Sequence, residues 1–136
     1  MGDGSGIAAE VEAALRSGDL QRMSALLQSH GAEDFVQEWP QSGERLSKAA
    51  AIRLADAYPD LSGRQPSFRF RRMLDGGDIV VLEGTIDYGD GVPVSYVGIA
   101  EIRDGTVARM TEYFANPFEP PAWRAGFAER MESPES

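Results

Sequence analysis

The stretch EIRDGTVARMTEYF, residues 101–114, holds an Asp-Gly pair between two segments in which apolar and polar residues alternate. Asp-Gly flanked by alternating segments is a strong short-range signal for a β-hairpin. A two-residue turn at Asp104-Gly105 places Val97 opposite Glu112. The stretch therefore predicts the last hairpin of an antiparallel sheet.

Similar turns upstream, DGGD (75–78) and YGDG (88–91), divide the second half of the chain into strands. The predicted strands form an antiparallel meander of residues 66–74, 79–88, 92–103 and 106–114. In the first hairpin, a loop over residues 76–78 pairs Arg71 with Glu83 and keeps Arg71 off the apolar face. We therefore expect that loop rather than a two-residue turn.

One face of this meander is predicted to be the core side because most of its side chains are apolar. That face carries Leu82, Ile86, Val97, Ile99, Met110 and Phe114, with Glu101 and Glu112 among them. The opposite face carries Val94, Tyr96, Ile102, Val107 and Tyr113.

The first half of the chain predicts three helices, because apolar residues recur there at helical spacing. Asp19 and Ser47 are predicted to cap the second and third helices, which Gly31 and Pro59 are predicted to end. Between those helices, EDFVQEWP (33–40) predicts a short strand.

The composition is typical of a globular protein. The chain has 136 residues, 42% hydrophobic and 26% charged, which predicts one domain with flexible ends at about residues 1–5 and 132–136. The net charge of −9 disfavours nucleic acid and anionic membranes as partners. Without a signal peptide or membrane-spanning run, the sequence predicts a cytoplasmic protein.

Five segments together resemble one protein family: SGDL (17–20), DFVQEWPQSGERL (34–46), AAIRLADAYP (50–59), EIRDGTVARMTEYF (101–114) and PFEPPAWR (117–124). In this order they resemble the nuclear transport factor two-like superfamily, and its SnoaL-like members in particular. The resemblance implies a cone-shaped α+β barrel, in which a curved antiparallel sheet wraps around N-terminal helices and leaves a mostly apolar cavity. It also implies isomerase, dehydratase, cyclase or epoxide hydrolase chemistry, or a pocket without catalysis.

The resemblance argues against one of these activities. Ketosteroid isomerases of the superfamily use a Tyr and two Asp residues at positions that here hold Val11, Trp39 and Ile99. None of these three side chains can transfer a proton. We therefore expect that the chain is not a ketosteroid isomerase of the usual kind, and that Trp39 forms a cavity wall instead.

The predicted binding partner is a small apolar molecule in this cavity. The predicted lining residues are Phe35, Trp39, Tyr58, Leu82, Ile86, Val97, Ile99, Met110, Phe114, Phe118 and Trp123. Phe118 and Trp123 are included because the prolines around them prevent strand pairing and let the tail close over the cavity. Residues 121–131 predict a short helix in that tail.

Glu112 is the predicted catalytic residue, with Glu101 as a weaker candidate. A carboxylate on an apolar face must accept hydrogen bonds, pair with a cation or take up a proton, and the last suits a general acid or base. The structural alternative is that Glu112 pairs with an arginine or holds the tail. Two functions remain open: an enzyme that moves a proton on an apolar substrate, and a non-catalytic binding or dimeric accessory protein.

Metal and cofactor sites are not indicated. The chain has no cysteine and a single histidine, His30, which is predicted to lie at a helix end. No glycine-rich nucleotide motif follows a strand. Finally, the semi-apolar face with Val94, Tyr96 and Tyr113 predicts a homodimer that buries it.

Overall fold

The computed structural model describes residues 3–64 and 66–132. Its elements, in chain order, are α1 (Asp3–Ser17), α2 (Leu20–His30), β1 (Gly31–Trp39), β2 (Glu44–Ser47), α3 (Lys48–Ser62), β3 (Ser67–Asp75), β4 (Ile79–Asp87), β5 (Val94–Arg103), β6 (Thr106–Ala115) and a short 3-10 helix (Ala122–Arg124). The predicted flexible ends fall mostly outside the described residues.

The strands form one curved, unclosed sheet in the order β2-β1-β6-β5-β4-β3. Strands β3 to β6 make the predicted antiparallel meander. Strand β1 runs parallel to β6. Parallel neighbours require a long connection, and α3 with strands β3 to β5 provides it here. The α+β class is confirmed, but the sheet is mixed rather than wholly antiparallel, and the four-residue strand β2 was not predicted.

The helix caps form as predicted. The Asp19 carboxylate accepts a hydrogen bond from the Gln21 amide at 2.9 Å, and the Ser47 hydroxyl accepts one from the Ala50 amide at 3.2 Å. The prediction that Pro59 ends α3 is wrong. The helix continues to Ser62 and ends at Gly63, whose left-handed φ of 67° allows the cap that glycine favours.

The first hairpin has its loop where predicted, but Glu83 is paired in the sheet with Arg72 and not with Arg71. Strand β3 ends at Asp75 and β4 begins at Ile79, so residues 76–78 form the loop. Phe68 and Phe70 face the interior, as expected. A bulge at Arg71 places both Arg71 and Arg72 against Glu83.

Strand β5 presents the opposite face to the one predicted. Tyr96, Gly98 and Ala100 are buried against the helices, whereas Val97 and Ile99 lie on the outer face of the sheet. One cause is the β4–β5 loop over residues 88–93. There the Asp87 carboxylate accepts hydrogen bonds from two loop amides, and the loop shifts the pairing by one residue.

The other cause is a β-bulge in β6. The Asp104-Gly105 turn holds, but Ala108 is left without a partner in β5. The extra residue reverses the alternation, so Glu112 pairs with Gly98 instead of Val97. Glu112 itself still points inward, because β6 alternates as predicted after the bulge, whereas Val107 before the bulge is buried and not on the predicted outer face.

This register corrects the predicted dimer face. Val94 and Tyr96 are buried inside the chain, with 7% and 3% exposure, so neither lies on an outer surface. Tyr113 does lie on the outer face, where it pairs with Val97 rather than with Tyr96. The homodimer stays a prediction, with a different set of residues.

The core fills the space between the helices and the inner face of the sheet. Its buried apolar members are Ile7, Ala8, Val11, Ala14, Leu26, Phe35, Ala51, Val80, Leu82, Ala100, Ile102, Val107 and Met110. This core occupies one end of the interior and leaves a cavity at the other.

Candidate functional site

A cavity of about 560 Å³ lies between the three helices and the inner face of the sheet. That volume falls within the range of small-molecule sites. It is lined by Ala14, Leu15, Gly18, Met23, Leu27, Gln37, Trp39, Gln41, Ser42, Glu44, Ala51, Leu54, Ala55, Tyr58, Pro66, Ser67, Phe68, Ile86, Tyr88, Tyr96, Glu112 and Phe114. Apolar side chains dominate this lining, so the cavity suits an apolar molecule.

Glu112 lies in this cavity, together with four of the predicted lining residues: Trp39, Tyr58, Ile86 and Phe114. Gln37 and Trp39 come from β1, Tyr58 from α3, and Glu112 from β6, so separate segments of the chain converge here.

The other predicted lining residues lie elsewhere. Phe35, Leu82 and Met110 are buried in the core, because they pack at the filled end of the interior. Val97 and Ile99 lie on the outer sheet face, as the register of β5 requires.

The structure contradicts the predicted lid. Phe118 and Trp123 are 79% and 73% exposed. Residues 116–121, which include three prolines, form no strand or helix, and neither Phe118 nor Trp123 lines the cavity. The predicted helix is reduced to the 3-10 helix at Ala122–Arg124 and the turn that follows it.

The Glu112 carboxylate accepts three hydrogen bonds from side chains. Its Oε1 atom accepts from Gln37 Nε2 at 2.6 Å and from Trp39 Nε1 at 2.8 Å. Its Oε2 atom accepts from the Tyr96 hydroxyl at 2.6 Å. The structural alternative of an arginine partner or a tail contact is therefore not what holds Glu112. Three donors aimed at one carboxylate fix its orientation.

Tyr96 reaches Glu112 because Gly98 lies beside it on the same face of β5. A Cβ atom at Gly98 would overlap the Tyr96 hydroxyl and part of its ring. The Tyr96 ring also contacts Phe68 and Phe114, each with ring centroids 5.4 Å apart. A glycine at this position therefore sets the tyrosine against the carboxylate.

Two tyrosines in the cavity hold their protons more strongly than free tyrosine. Burial, together with the charge and the hydrogen bond of Glu112, raises the pKa of Tyr96 well above its usual value. The pKa of Tyr88 is raised chiefly by burial, then by Tyr58 and Glu112, while Arg64 lowers it. Tyr96 is consequently a neutral donor to Glu112 at physiological pH.

Glu101, the weaker candidate, lies outside the cavity. It stands on the outer sheet face, 3.6 Å from Arg109, with its side chain about half exposed. Arg109 also contacts Glu38 at 2.8 Å, and that contact is the largest factor that lowers the pKa of Glu38. Of the two predicted catalytic candidates, Glu112 lines the cavity and Glu101 does not.

His30 ends α2, as predicted, with its Nε2 atom 3.0 Å from a Glu10 oxygen. It does not line the cavity. Within residues 3–64 and 66–132, no group of three His, Asp or Glu side chains is placed to hold a metal ion. None of the helices in the same residues is long and apolar enough to cross a membrane.

Sequence reasoning missed Gln37 and Tyr96 as partners of Glu112. Gln37 lies two residues before Trp39 in the predicted strand, so strand alternation puts both on one face, and this was a usable signal. Tyr96 was placed on the wrong face, because nothing adjacent to it indicates the bulge in β6. The signal lay further away, in Val107 and Met110, which are both apolar and three residues apart.

The sequence matches the SnoaL-like domain family over residues 8–110. The chain belongs to that family. No curated protein matches this SnoaL-like chain.

Solved structures share the fold over nearly the whole chain. An NTF2-like protein of unknown function from Burkholderia xenovorans is 28% identical, covers 96% of each chain and gives a TM-score of 0.74. A protein from Kribbella flavida, described as a candidate ketosteroid isomerase, is 25% identical, covers 96% of this chain and 91% of its own, and gives 0.78. An epoxide hydrolase from M. tuberculosis, 21% identical and covering 82% of each chain at 0.56, shows the fold alone.

The residues that ketosteroid isomerases require are not reproduced in the cavity of this SnoaL-like chain. Of the three corresponding positions, Val11 is buried in the core and Ile99 lies on the outer face. Only Trp39 reaches the cavity, where it donates to Glu112. The inward neighbours of Ile99 are Gly98 and Ala100, which carry no proton to transfer.

Proposed function

We propose that this SnoaL-like protein is an enzyme that transfers a proton on a small apolar substrate, with Glu112 as the general base. One observation carries the proposal: an oriented carboxylate lies in a cavity whose lining is mostly apolar. A positioned carboxylate within reach of a substrate proton can act as its acceptor. Isomerisation, cyclisation and hydrolysis of the types that occur in the family all need such a group.

The hydrogen bonds leave Glu112 able to accept a proton. Oε1 already accepts two bonds, whereas Oε2 accepts one, from Tyr96. A carboxylate oxygen can accept two, so Oε2 has one position free for a proton from the substrate. The donors also keep the carboxylate in place while the substrate binds, which is the role of supporting residues in a preorganised site.

The relative described as a candidate ketosteroid isomerase supports an isomerase among these reaction types. The catalytic residues of ketosteroid isomerases cannot be carried over to this chain, because Val11, Trp39 and Ile99 stand at the corresponding positions. We propose that Glu112, on β6, supplies the base that those positions do not supply.

A second candidate is a binding protein without catalysis. The same geometry favours it, because Glu112 joins β1, β5 and β6 through side-chain hydrogen bonds and so has a structural use. In that case the cavity binds an apolar molecule and the carboxylate only holds its wall together.

A reaction that needs only a base and an apolar cavity separates these two functions. The base removes the ring C–H proton of 5-nitrobenzisoxazole, the electron pair forms a nitrile as the N–O bond breaks, and a coloured cyanophenolate results. We expect the protein to accelerate this elimination beyond an equal concentration of acetate. Glu112→Gln should lower that rate by about 100-fold or more, because general base catalysis is typically worth that factor.

Glu101→Gln is the matched control, since it removes the same charge from the outer face of the sheet. It should retain the wild-type rate. Circular dichroism and quenching of tryptophan fluorescence by the probe show whether each variant folds and binds. A probe that binds to the wild-type protein without elimination favours the binding function and contradicts the enzyme.

A further inference from the structure

The charges in the cavity are not balanced. The lining contains two carboxylates, Glu44 and Glu112, and no Arg, Lys or His among the described residues. Glu112 receives its hydrogen bonds from three neutral groups, and none of the described basic side chains pairs with it. Arg64, which acts on Tyr88, lies 3.8 Å from Asp90 and so already faces an acidic partner. The Glu112 carboxylate is therefore hydrogen-bonded but has no cationic partner among the described residues.

Aromatic rings form a large part of the lining of the same cavity. The cavity is lined by Trp39, Tyr58, Phe68, Tyr88, Tyr96 and Phe114. Trp39 and Tyr96 donate to Glu112, and both pack against Phe114, with ring centroids 6.5 and 5.4 Å from it. The faces of such rings carry partial negative charge and attract cations. The aromatic rings and the carboxylate therefore both favour a cation over an anion.

The charge of Glu112 also acts on two tyrosines of the cavity. The Glu112 charge contributes to the raised pKa of both Tyr96 and Tyr88, although burial is the larger cause for each. A site that opposes the negative charge of a tyrosinate also opposes an anionic ligand. It favours a cation that can replace lost hydration with contacts to rings and a carboxylate.

We infer that the cavity binds an apolar molecule that carries a positive charge, an amine or quaternary ammonium compound, with its cationic group against Glu112 and the rings. This inference rests on the proposed function in one respect, because both place a ligand beside Glu112. It adds the charge of that ligand, which the proposed proton transfer does not specify.

A pair of probes with the same shape tests it. (3-Hydroxyphenyl)trimethylammonium and 3-tert-butylphenol differ in charge but hardly in size, and 3-hydroxybenzoate supplies an anion. Isothermal titration calorimetry gives the Kd of each for the wild-type protein. We expect the cation to bind about tenfold more tightly than its neutral isostere, as cation–π contacts and an ionic partner predict, and the benzoate to bind more weakly than both.

Variants of the protein show which residue causes the preference for the cationic probe. Glu112→Gln should bring the ratio of the two Kd values close to one, while Glu112→Asp and the outer-face control Glu101→Gln should preserve it. Because the result is a ratio within one protein, a general loss of stability does not imitate it. Equal or tighter binding of the neutral probe, no binding of the cation, or a ratio that Glu112→Gln leaves unchanged would each overturn the inference.

The outcomes also separate this inference from the proposed function. A cation preference that depends on Glu112, in a protein that does not eliminate nitrobenzisoxazole, upholds the ligand charge and refutes the base. Elimination that depends on Glu112, in a protein without a preference for the cation, upholds the base and refutes the ligand charge.

Discussion

At the scale of the residue, Glu112 of β6 is the side chain that receives hydrogen bonds from two other strands. Its carboxylate connects Gln37 and Trp39 of β1 to Tyr96 of β5 through three hydrogen bonds. Such a network is strong when every member is satisfied and costly when one is removed. In residues 3–64 and 66–132, no buried side-chain oxygen or nitrogen lacks a hydrogen-bond partner. The network thus fixes the carboxylate and supports the cavity wall.

Tyr96 gives this network a pH dependence. Its pKa is raised in the folded protein, whereas in the unfolded chain it is about 10. Above pH 10 the unfolded chain therefore releases this proton and the folded protein does not. The free energy of unfolding should fall with a slope of up to about 1.4 kcal/mol per pH unit from this residue, until the pH passes the folded pKa.

Tyr96→Phe should remove that component, so its stability should decline less steeply above pH 10 than that of the wild-type protein. Urea unfolding at several alkaline pH values measures the slope. The substitution also leaves Glu112 with one donor fewer and lowers stability at every pH, so the slope and not the absolute value is decisive. Tyr113→Phe, on the exposed outer face, is the control and should keep the wild-type slope. Equal slopes in the wild-type protein and Tyr96→Phe would contradict the assignment.

At the scale of the element, the sequence predicts local structure better than pairing. The N-caps Asp19 and Ser47 and the turn at Asp104-Gly105 were readable, because each depends on a few adjacent residues. Pairings between distant segments were not readable in this way. The parallel contact of β1 with β6 and the four residues of β2 depend on partners far along the chain.

The same contrast between adjacent and distant residues applies to the site. Glu112 was identified because β6 alternates regularly from Met110 onward, after the bulge. Tyr96 was missed because the bulge at Ala108 and the loop over 88–93 together change the face that β5 presents. Both faces of β5 carry apolar residues, so alternation alone did not decide between them.

Helix α3 provides a test of the structure that depends on adjacent residues, here its N-cap. It lines the cavity with Ala51, Leu54, Ala55 and Tyr58, and Ser47 caps it. Ser47→Ala should lower the free energy of unfolding by about 1 kcal/mol, because the Ala50 amide loses its acceptor.

Urea denaturation measures the effect of Ser47→Ala. The control is Ser29→Ala, which removes an exposed hydroxyl that bonds only to a carbonyl of its own helix. That change should stay within about 0.5 kcal/mol. If both variants lose the same amount, the cap at Ser47 is not what stabilises α3.

At the scale of the whole molecule, the outer face of the sheet and the tail both expose apolar side chains. The outer face of the sheet carries Ile79, Val97, Ile99 and Tyr113, of which Ile79 and Tyr113 are 50% and 40% exposed. The tail exposes Phe118, Trp123, Phe127 and Met131. Exposed apolar surface of this kind is typical of a contact with another chain.

We therefore retain the prediction of a homodimer and assign it to this corrected outer face. Light scattering at micromolar concentration should give twice the chain mass. Ile99→Lys should shift the protein to a monomer, because a charge at this face opposes its burial. Leu61→Lys, at an exposed position in the last turn of α3, should remain dimeric. A monomeric wild-type protein, or a dimer unaffected by Ile99→Lys, would contradict the assignment.

The proposed proton-transfer function depends on Glu112 as the base in the cavity. The most direct measurement is the rate of 5-nitrobenzisoxazole elimination by the wild-type protein, Glu112→Gln and Glu101→Gln, with the reacting C–H replaced by C–D in a parallel series. We predict a wild-type rate above that of acetate that falls when deuterium replaces hydrogen, the same behaviour in Glu101→Gln, and a loss of about 100-fold or more in Glu112→Gln. Equal rates in a folded Glu112→Gln protein and the wild-type protein would show that this carboxylate is not the base.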